Sequence, residues 1–136
     1  MSFKFKYKKE KINGKTMYFP KAFISLFHAG VKIDCPALID SGATHIFIPK
    51  EIADALELNF EEEDTAGSWT NDFKVWNSHV GLTIGKGSQT FRKIFPCLIP
   101  DSENESQEVI LGRSFFKFFE ITFNEQKKIT KLKKIQ

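Results

Sequence analysis

The chain has little from which to build a metal or redox centre. Its 136 residues include two cysteines and three histidines. Cys35 and Cys97 form no Cys-x-x-Cys pair and no histidine stands at ligand spacing from either, so no metal is expected and two reduced thiols are. No cofactor is expected either. The sequence lacks an apolar run of roughly eighteen residues, and its lysine-rich start is not followed by an apolar core. Neither a spanning helix nor a signal peptide is expected, and the chain reads as cytoplasmic, with no membrane partner. Internal repeats and low-complexity tracts are missing as well, which leaves one ordinary domain.

Charge of one sign is also scarce, because a formal net charge of +3 is modest for this length. The basic residues cluster in Lys4, Lys6, Lys8, Lys9, Lys11 and Lys15 at one end and in Lys127, Lys128, Lys131, Lys133 and Lys134 at the other. Such clusters can meet phosphates. However, Phe3, Phe5 and Tyr7 alternate with lysines at period two, as in a strand with one buried and one wet face. Lysine also blunts exposed sheet edges. A nucleic-acid partner is therefore not expected. Residues 1–17 read as a basic N-terminal extension containing a strand, and residues 18–136 as the main domain.

What the chain does have is apolar material in short runs. Fifteen phenylalanines supply a core, and 27% charged residues keep the surface wet. Runs separated by turn residues predict an all-β fold, a small closed barrel with one or two short helices. A first strand should run from Phe3 to Ile12 and end at the tight turn Asn13-Gly14. Ala22 to Phe27 and Val31 to Ile39 should form a hairpin around His28-Ala29-Gly30. A helix is predicted over Lys50 to Leu58, with Pro49 in its first turn and no good cap. A second hairpin pairs Glu63 to Trp69 with Phe73 to Val80, and Leu82 to Ile84 and Thr90 to Ile99 flank Gly85-Lys86-Gly87. After a polar loop from Asp101 to Glu108, Ser114 to Phe119 should hold a short helix. Strands at Glu120 to Phe123 and Lys128 to Leu132 close the domain.

One acid stands out. Asp40 follows the apolar run Pro36-Ala37-Leu38-Ile39, so it should sit where a strand leaves the core. Gly42 then lets the backbone approach a ligand closely. Asp40-Ser41-Gly42-Ala43-Thr44 resembles the active-site loop of the aspartic proteases. Val109-Ile110-Leu111-Gly112-Arg113 resembles the apolar-apolar-Gly-Arg segment near the C-terminus of retroviral-type proteases. Trp69 to Val75 falls between them, where that family has its flap hairpin. With three features in the family's order, the chain resembles a retropepsin-like aspartic protease over roughly residues 18 to 133.

The resemblance implies an aspartic endopeptidase. Two carboxylates held close together cannot both ionise comfortably, so one serves as base and the other as acid toward a shared water. Only one Asp-Ser-Gly occurs, and the chain is too short for the two-lobed pepsin arrangement, so the resemblance implies a homodimer with one Asp40 from each subunit. It implies that Ser41 hydrogen-bonds across the two-fold axis, that the Gly42 carbonyl meets substrate backbone, and that Ala43 lines the cleft floor beside Thr44. It places Ser68, Trp69, Thr70 and Asn71 at the flap over a peptide or protein substrate, and Ile110, Leu111, Gly112 and Arg113 beneath the active-site loop. Thr44 stands where the family has an aspartate that pairs with its arginine, so Arg113 needs another partner or is exposed. His45 is expected in the cleft wall or on the surface rather than as a base, since no nucleophile motif accompanies it. Trp76 is expected to be ordinary packing. The competing function is a non-catalytic dimeric peptide-binding or assembly module of the same fold.

Overall fold

The structure, a computed structural model, describes residues 1–67, 72–101 and 108–135. The strands are β1 (Ser2–Lys6), β2 (Lys8–Ile12), β3 (Lys15–Phe19), β4 (Lys21–His28), β5 (Val31–Ile39), β6 (Glu63–Gly67), β7 (Asp72–Lys86), β8 (Gln89–Pro100), β9 (Val109–Leu111), β10 (Phe119–Asn124) and β11 (Ile129–Lys134). Two short helices interrupt them, α1 (Lys50–Ala55) and α2 (Arg113–Phe116). The chain is therefore mostly β, as its short apolar runs predict. The strands pair as a terminal sheet β1-β11-β10, a separate hairpin β2-β3, and a large sheet β6-β7-β4-β5-β9 with β8 against β7.

The first predicted strand breaks in two at Tyr7. Up to that point the alternation holds, with Phe3 and Tyr7 buried between exposed lysines, and the Tyr7 N–H still donates to the Lys128 carbonyl at 2.8 Å. Lys8 and Lys9 then follow one another, both exposed, and no residue remains to continue the buried face. The chain leaves the terminal sheet and forms the β2-β3 hairpin instead. Its turn is the predicted one: Asn13 and Gly14 both take positive φ, 51° and 78°, as a two-residue hairpin loop of the primed type requires. At the hairpin's root the Lys21 ammonium lies 2.6 Å from Glu10 and 2.7 Å from Glu108. Burial alone would lower the Lys21 pKa, but these carboxylates outweigh it and hold it above the ordinary lysine value. The hydrogen bond from Lys21 in turn lowers the pKa of Glu10.

The predicted hairpin of β4 and β5 forms with Lys21 opposite Leu38 and His28 opposite Val31. Beyond it, the predicted strands stop at Val80 and resume at Leu82, yet β7 runs through Gly81 and pairs with β8 from Val75 to Lys86. Gly81 serves packing, not turning. A Cβ there would stand 2.2 Å from the Phe27 ring, and that ring carries the Arg92 guanidinium at 3.8 Å on its face. The first helix ends at Ala55, short of the predicted Leu58, because Glu57 adopts a left-handed φ of 54°. Pro49 is its N-cap, without a side-chain hydrogen bond. The second is confined to Arg113–Phe116. The hairpin tip at 68–71 and the polar loop at 102–107 lie outside the described residues.

A closed barrel of strands is not what forms. The large sheet starts at β6 and ends at β9, and among the described residues β8 reaches β9 through Phe47, which bridges to Leu98 on one side and Ile110 on the other. The segment 46–48 lies between α1 and the loop that follows β5, so it is too short to pair as a strand, and four backbone hydrogen bonds of 2.8–3.0 Å fasten it to Leu98 and Ile110. The core lies inside this arrangement, with Ile24, Leu26, Leu82, Ile84, Ile99 and Leu111 almost fully buried. Phenylalanines join it to the terminal sheet. Phe119 lies 4.8 Å from Phe91 and 4.9 Å from Phe115 between ring centroids, a geometry that adds aromatic attraction to burial.

Candidate active site

Asp40 is the first residue past β5, and its backbone is fixed by neighbours on both sides. The Ile39 N–H donates to the Pro20 carbonyl at 2.9 Å, and the Asp40 N–H donates to the Leu111 carbonyl at 3.1 Å. Half-buried, its carboxylate accepts the Gly42 N–H at 2.8 Å, an Asx-type turn that pulls the loop back on itself. A Cβ on Gly42 would stand 3.2 Å from that same carboxylate oxygen, a tight contact to which the carboxylate would have to yield.

The rest of the loop is moulded on α2. The Ala43 and Thr44 carbonyls accept the N–H groups of Arg113 and Ser114 at 2.8 and 3.1 Å. These are the first donors of a helix that has no side-chain cap, so the loop itself satisfies them. Gly112 makes the contact possible: a Cβ there would lie 2.3 Å from the His45 carbonyl oxygen and 2.6 Å from that of Ala43. Ile110 is hydrogen-bonded to Phe47 in both directions, at 2.9 and 3.0 Å. Residues 111–113 thus lie against the Asp40 loop, and Ile110 lies against Phe47 beyond it. The Arg113 side chain itself is exposed and has no ion-pair partner among the described residues.

The loop opens onto a cleft of about 960 Å³. Asp40, Gly42, Ala43, Thr44 and His45 line one side. Phe47, Phe73, Val75, Leu98, Pro100 and Ile110 give it an apolar wall, and Asp64, Thr65 and Asn77 add polar groups. Ser41 is exposed and does not line this cleft. The Thr44 hydroxyl and His45 Nδ1 are 2.6 Å apart, a pair on the rim. Ser68, Trp69, Thr70 and Asn71 lie outside the described residues. Trp76 packs against Phe60 at 6.1 Å and donates its indole N–H to Asp101 at 3.1 Å. That hydrogen bond, with Lys74 and Lys50 nearby, lowers the Asp101 pKa.

Sequence reasoning missed Phe47, Phe73 and Asp64 as cleft residues. A signal for Phe47 was present, because Ile46 and Ile48 are fully buried and alternation turns Phe47 the other way. Nothing in the sequence marked Pro20 as the residue that anchors Ile39.

Alternative chemistries have little to work with. Burial pushes the Cys35 thiol up to about 11 and the Cys97 thiol to about 12, so neither is a thiolate nucleophile near neutral pH. Among the described residues no group of three or more His, Cys, Asp or Glu could hold a metal ion.

A family model described as aspartyl protease matches residues 28–115, and the chain belongs to that family. In fold it is similar to a retropepsin-like aspartic protease from Rickettsia conorii, with 19% identity, a TM-score of 0.58 and coverage of 97% of this chain and 91% of that one. Weaker likenesses are to the EIAV protease complexed with the inhibitor HBY-793 (17% identity, TM-score 0.48, 73% of this chain and 86% of that one) and to the retroviral protease-like domain of Ddi1 from Leishmania major (10%, 0.49, 86% and 95%). No curated protein sequence matches.

Two predictions follow from the geometry. Gly112→Ala must drive two backbone carbonyls apart, so urea unfolding should show a loss of about 1–3 kcal/mol or more. A variant as stable as the wild type would contradict the contact. Both thiols of the native protein should react with a disulfide reagent near neutral pH roughly 100-fold or more slowly than in the unfolded chain, and the Cys35 rate should climb only as pH approaches 11. Fast native labelling would show that burial is not what governs them.

Proposed function

We propose that this chain is an aspartic endopeptidase that works as a homodimer, with a water held between Asp40 of one subunit and Asp40 of a second copy. The observation that carries the reading is one carboxylate, fixed in a hydrogen-bonded turn, at the mouth of an open cleft. Membership of the aspartyl protease family supports it. The sequence offers Asp-Ser-Gly once, so a single chain supplies half of an acid–base pair.

In this mechanism one Asp40 is ionised and the other keeps the shared proton. The ionised carboxylate takes a proton from the water as its oxygen attacks the scissile carbonyl carbon, while the protonated partner donates to the carbonyl oxygen. The tetrahedral diol then collapses: the C–N bond breaks as the nitrogen takes the proton from the carboxyl that received it from water, one diol hydroxyl gives its proton to the other carboxylate, and the pair again holds a single proton. Substrate binds extended, its backbone along the β6-β7 hairpin and its side chains against Phe47, Phe73 and Ile110. A cytoplasmic setting fits the two free thiols, and no helix among the described residues is long and apolar enough to cross a membrane.

Asp40→Asn keeps size and hydrogen bonding but removes proton exchange, so kcat should fall by about 10²–10⁴-fold or more with melting temperature unchanged. Asp64 is the other acid in the same cleft, and Asp64→Asn should stay within about tenfold of wild type, as for an interaction worth under about 1.4 kcal/mol in the transition state. A peptide-library assay giving the reverse pattern would move the chemistry to Asp64, and wild-type cleavage by Asp40→Asn would end the aspartic reading.

A further inference from the structure

We propose that the β2-β3 hairpin is a dimerisation arm, whose apolar stripe Ile12, Met17 and Phe19 is covered by a second copy of this chain. The proposal rests on the two-subunit reading above and names the surface that brings the subunits together.

Cross-strand pairing sets the stripe. Lys8 faces Phe19, Glu10 faces Met17 and Ile12 faces Lys15, so these six share one face of the hairpin, and Lys9, Tyr18, Lys11 and Thr16 share the other. On the first face, the root is anchored to the body: Glu10 holds Lys21, whose ammonium also lies 5.6 Å from the Phe19 ring. Toward the tip, Met17 is 44% exposed and Ile12 41% exposed, diagonal neighbours with nothing of this chain over them among the described residues. Two strands of five residues reach about 16 Å beyond the root. Among the described residues they pair only with each other, and a lone two-stranded hairpin is marginal in water without something to pack against.

The position of the root selects the occupant. Phe19 is followed by Pro20, whose carbonyl accepts the Ile39 N–H, and Ile39 precedes Asp40. The arm therefore springs from beside the loop that a second Asp40 must approach. Around a two-fold axis each arm lies on the other subunit, so one stripe is buried twice per dimer.

The test is sedimentation of the full chain across a concentration series, with three exposed substitutions that carry the same added charge. Ile12→Lys and Met17→Lys should each raise the dimer dissociation constant at least tenfold with an unchanged circular dichroism spectrum. Thr16→Lys, on the opposite face, should leave it within a factor of about two, the size of an ordinary surface change. The proposal is overturned if Thr16→Lys weakens the dimer as much as Met17→Lys, if neither stripe variant weakens it, or if the wild type stays monomeric throughout. Sedimentation needs no substrate. A wild type that dimerises through the arm but cleaves nothing would remove the protease reading and leave the arm in place, whereas intact proteolysis by Met17→Lys dimers of wild-type affinity would do the opposite.

Discussion

The Asp40 loop has no regular structure of its own, so its shape depends on the backbone hydrogen bonds it exchanges with the segment from Leu111 to Ser114. Leu111 holds the Asp40 N–H, and the N–H groups of Arg113 and Ser114 hold the carbonyls of Ala43 and Thr44. Each side satisfies what the other leaves open: an uncapped helix start needs acceptors, and a loop leaving a strand needs donors. Gly112 sits where the two backbones come closest, and no side chain fits there. Two segments some seventy residues apart in the chain are thereby tied by hydrogen bonds into one support for a carboxylate.

That support explains why the acid is half-buried rather than free. Apolar residues of β5 bring it to the edge of the core, and the Gly42 N–H holds one carboxylate oxygen in a turn that lines the cleft. The same strand end is also where the β2-β3 hairpin is rooted, through Pro20. The proposed catalytic half-site and the proposed arm thus share one anchor. In the proposed dimer, closing the interface and completing the acid–base pair are one event.

Much of this was legible because short-range rules govern it. Asn13-Gly14 demanded a hairpin, the apolar run before Asp40 demanded a strand end, and Gly112 with Arg113 marked the supporting segment through family resemblance. What stayed hidden depended on contacts between distant residues. Gly81 looks like a break but is a space for the Phe27 ring, and β8 and β9 meet at Phe47 through isolated bridges rather than by strand pairing. The split at Tyr7 could have been read from two consecutive lysines, which no one-sided strand accommodates. The apolar cleft wall gathers residues from four separate stretches of chain, and its members are ordinary core types at sequence level. The exposed apolar stripe of the hairpin was obscured in the same way, because counting lysines drew attention to charge while Ile12 and Met17 supplied the surface.

The central claim is that the working site is shared between two chains, and subunit mixing tests it most directly. Fixed wild-type protein is allowed to exchange with an equal amount of Asp40→Asn protein at concentrations well above the dimer dissociation constant, and peptide cleavage is followed against the unmixed control. A shared site predicts that activity per wild-type subunit falls to about half, because about half of the wild-type subunits then sit in dimers with a single carboxyl. Activity per wild-type subunit that is unchanged after demonstrated exchange would contradict the account.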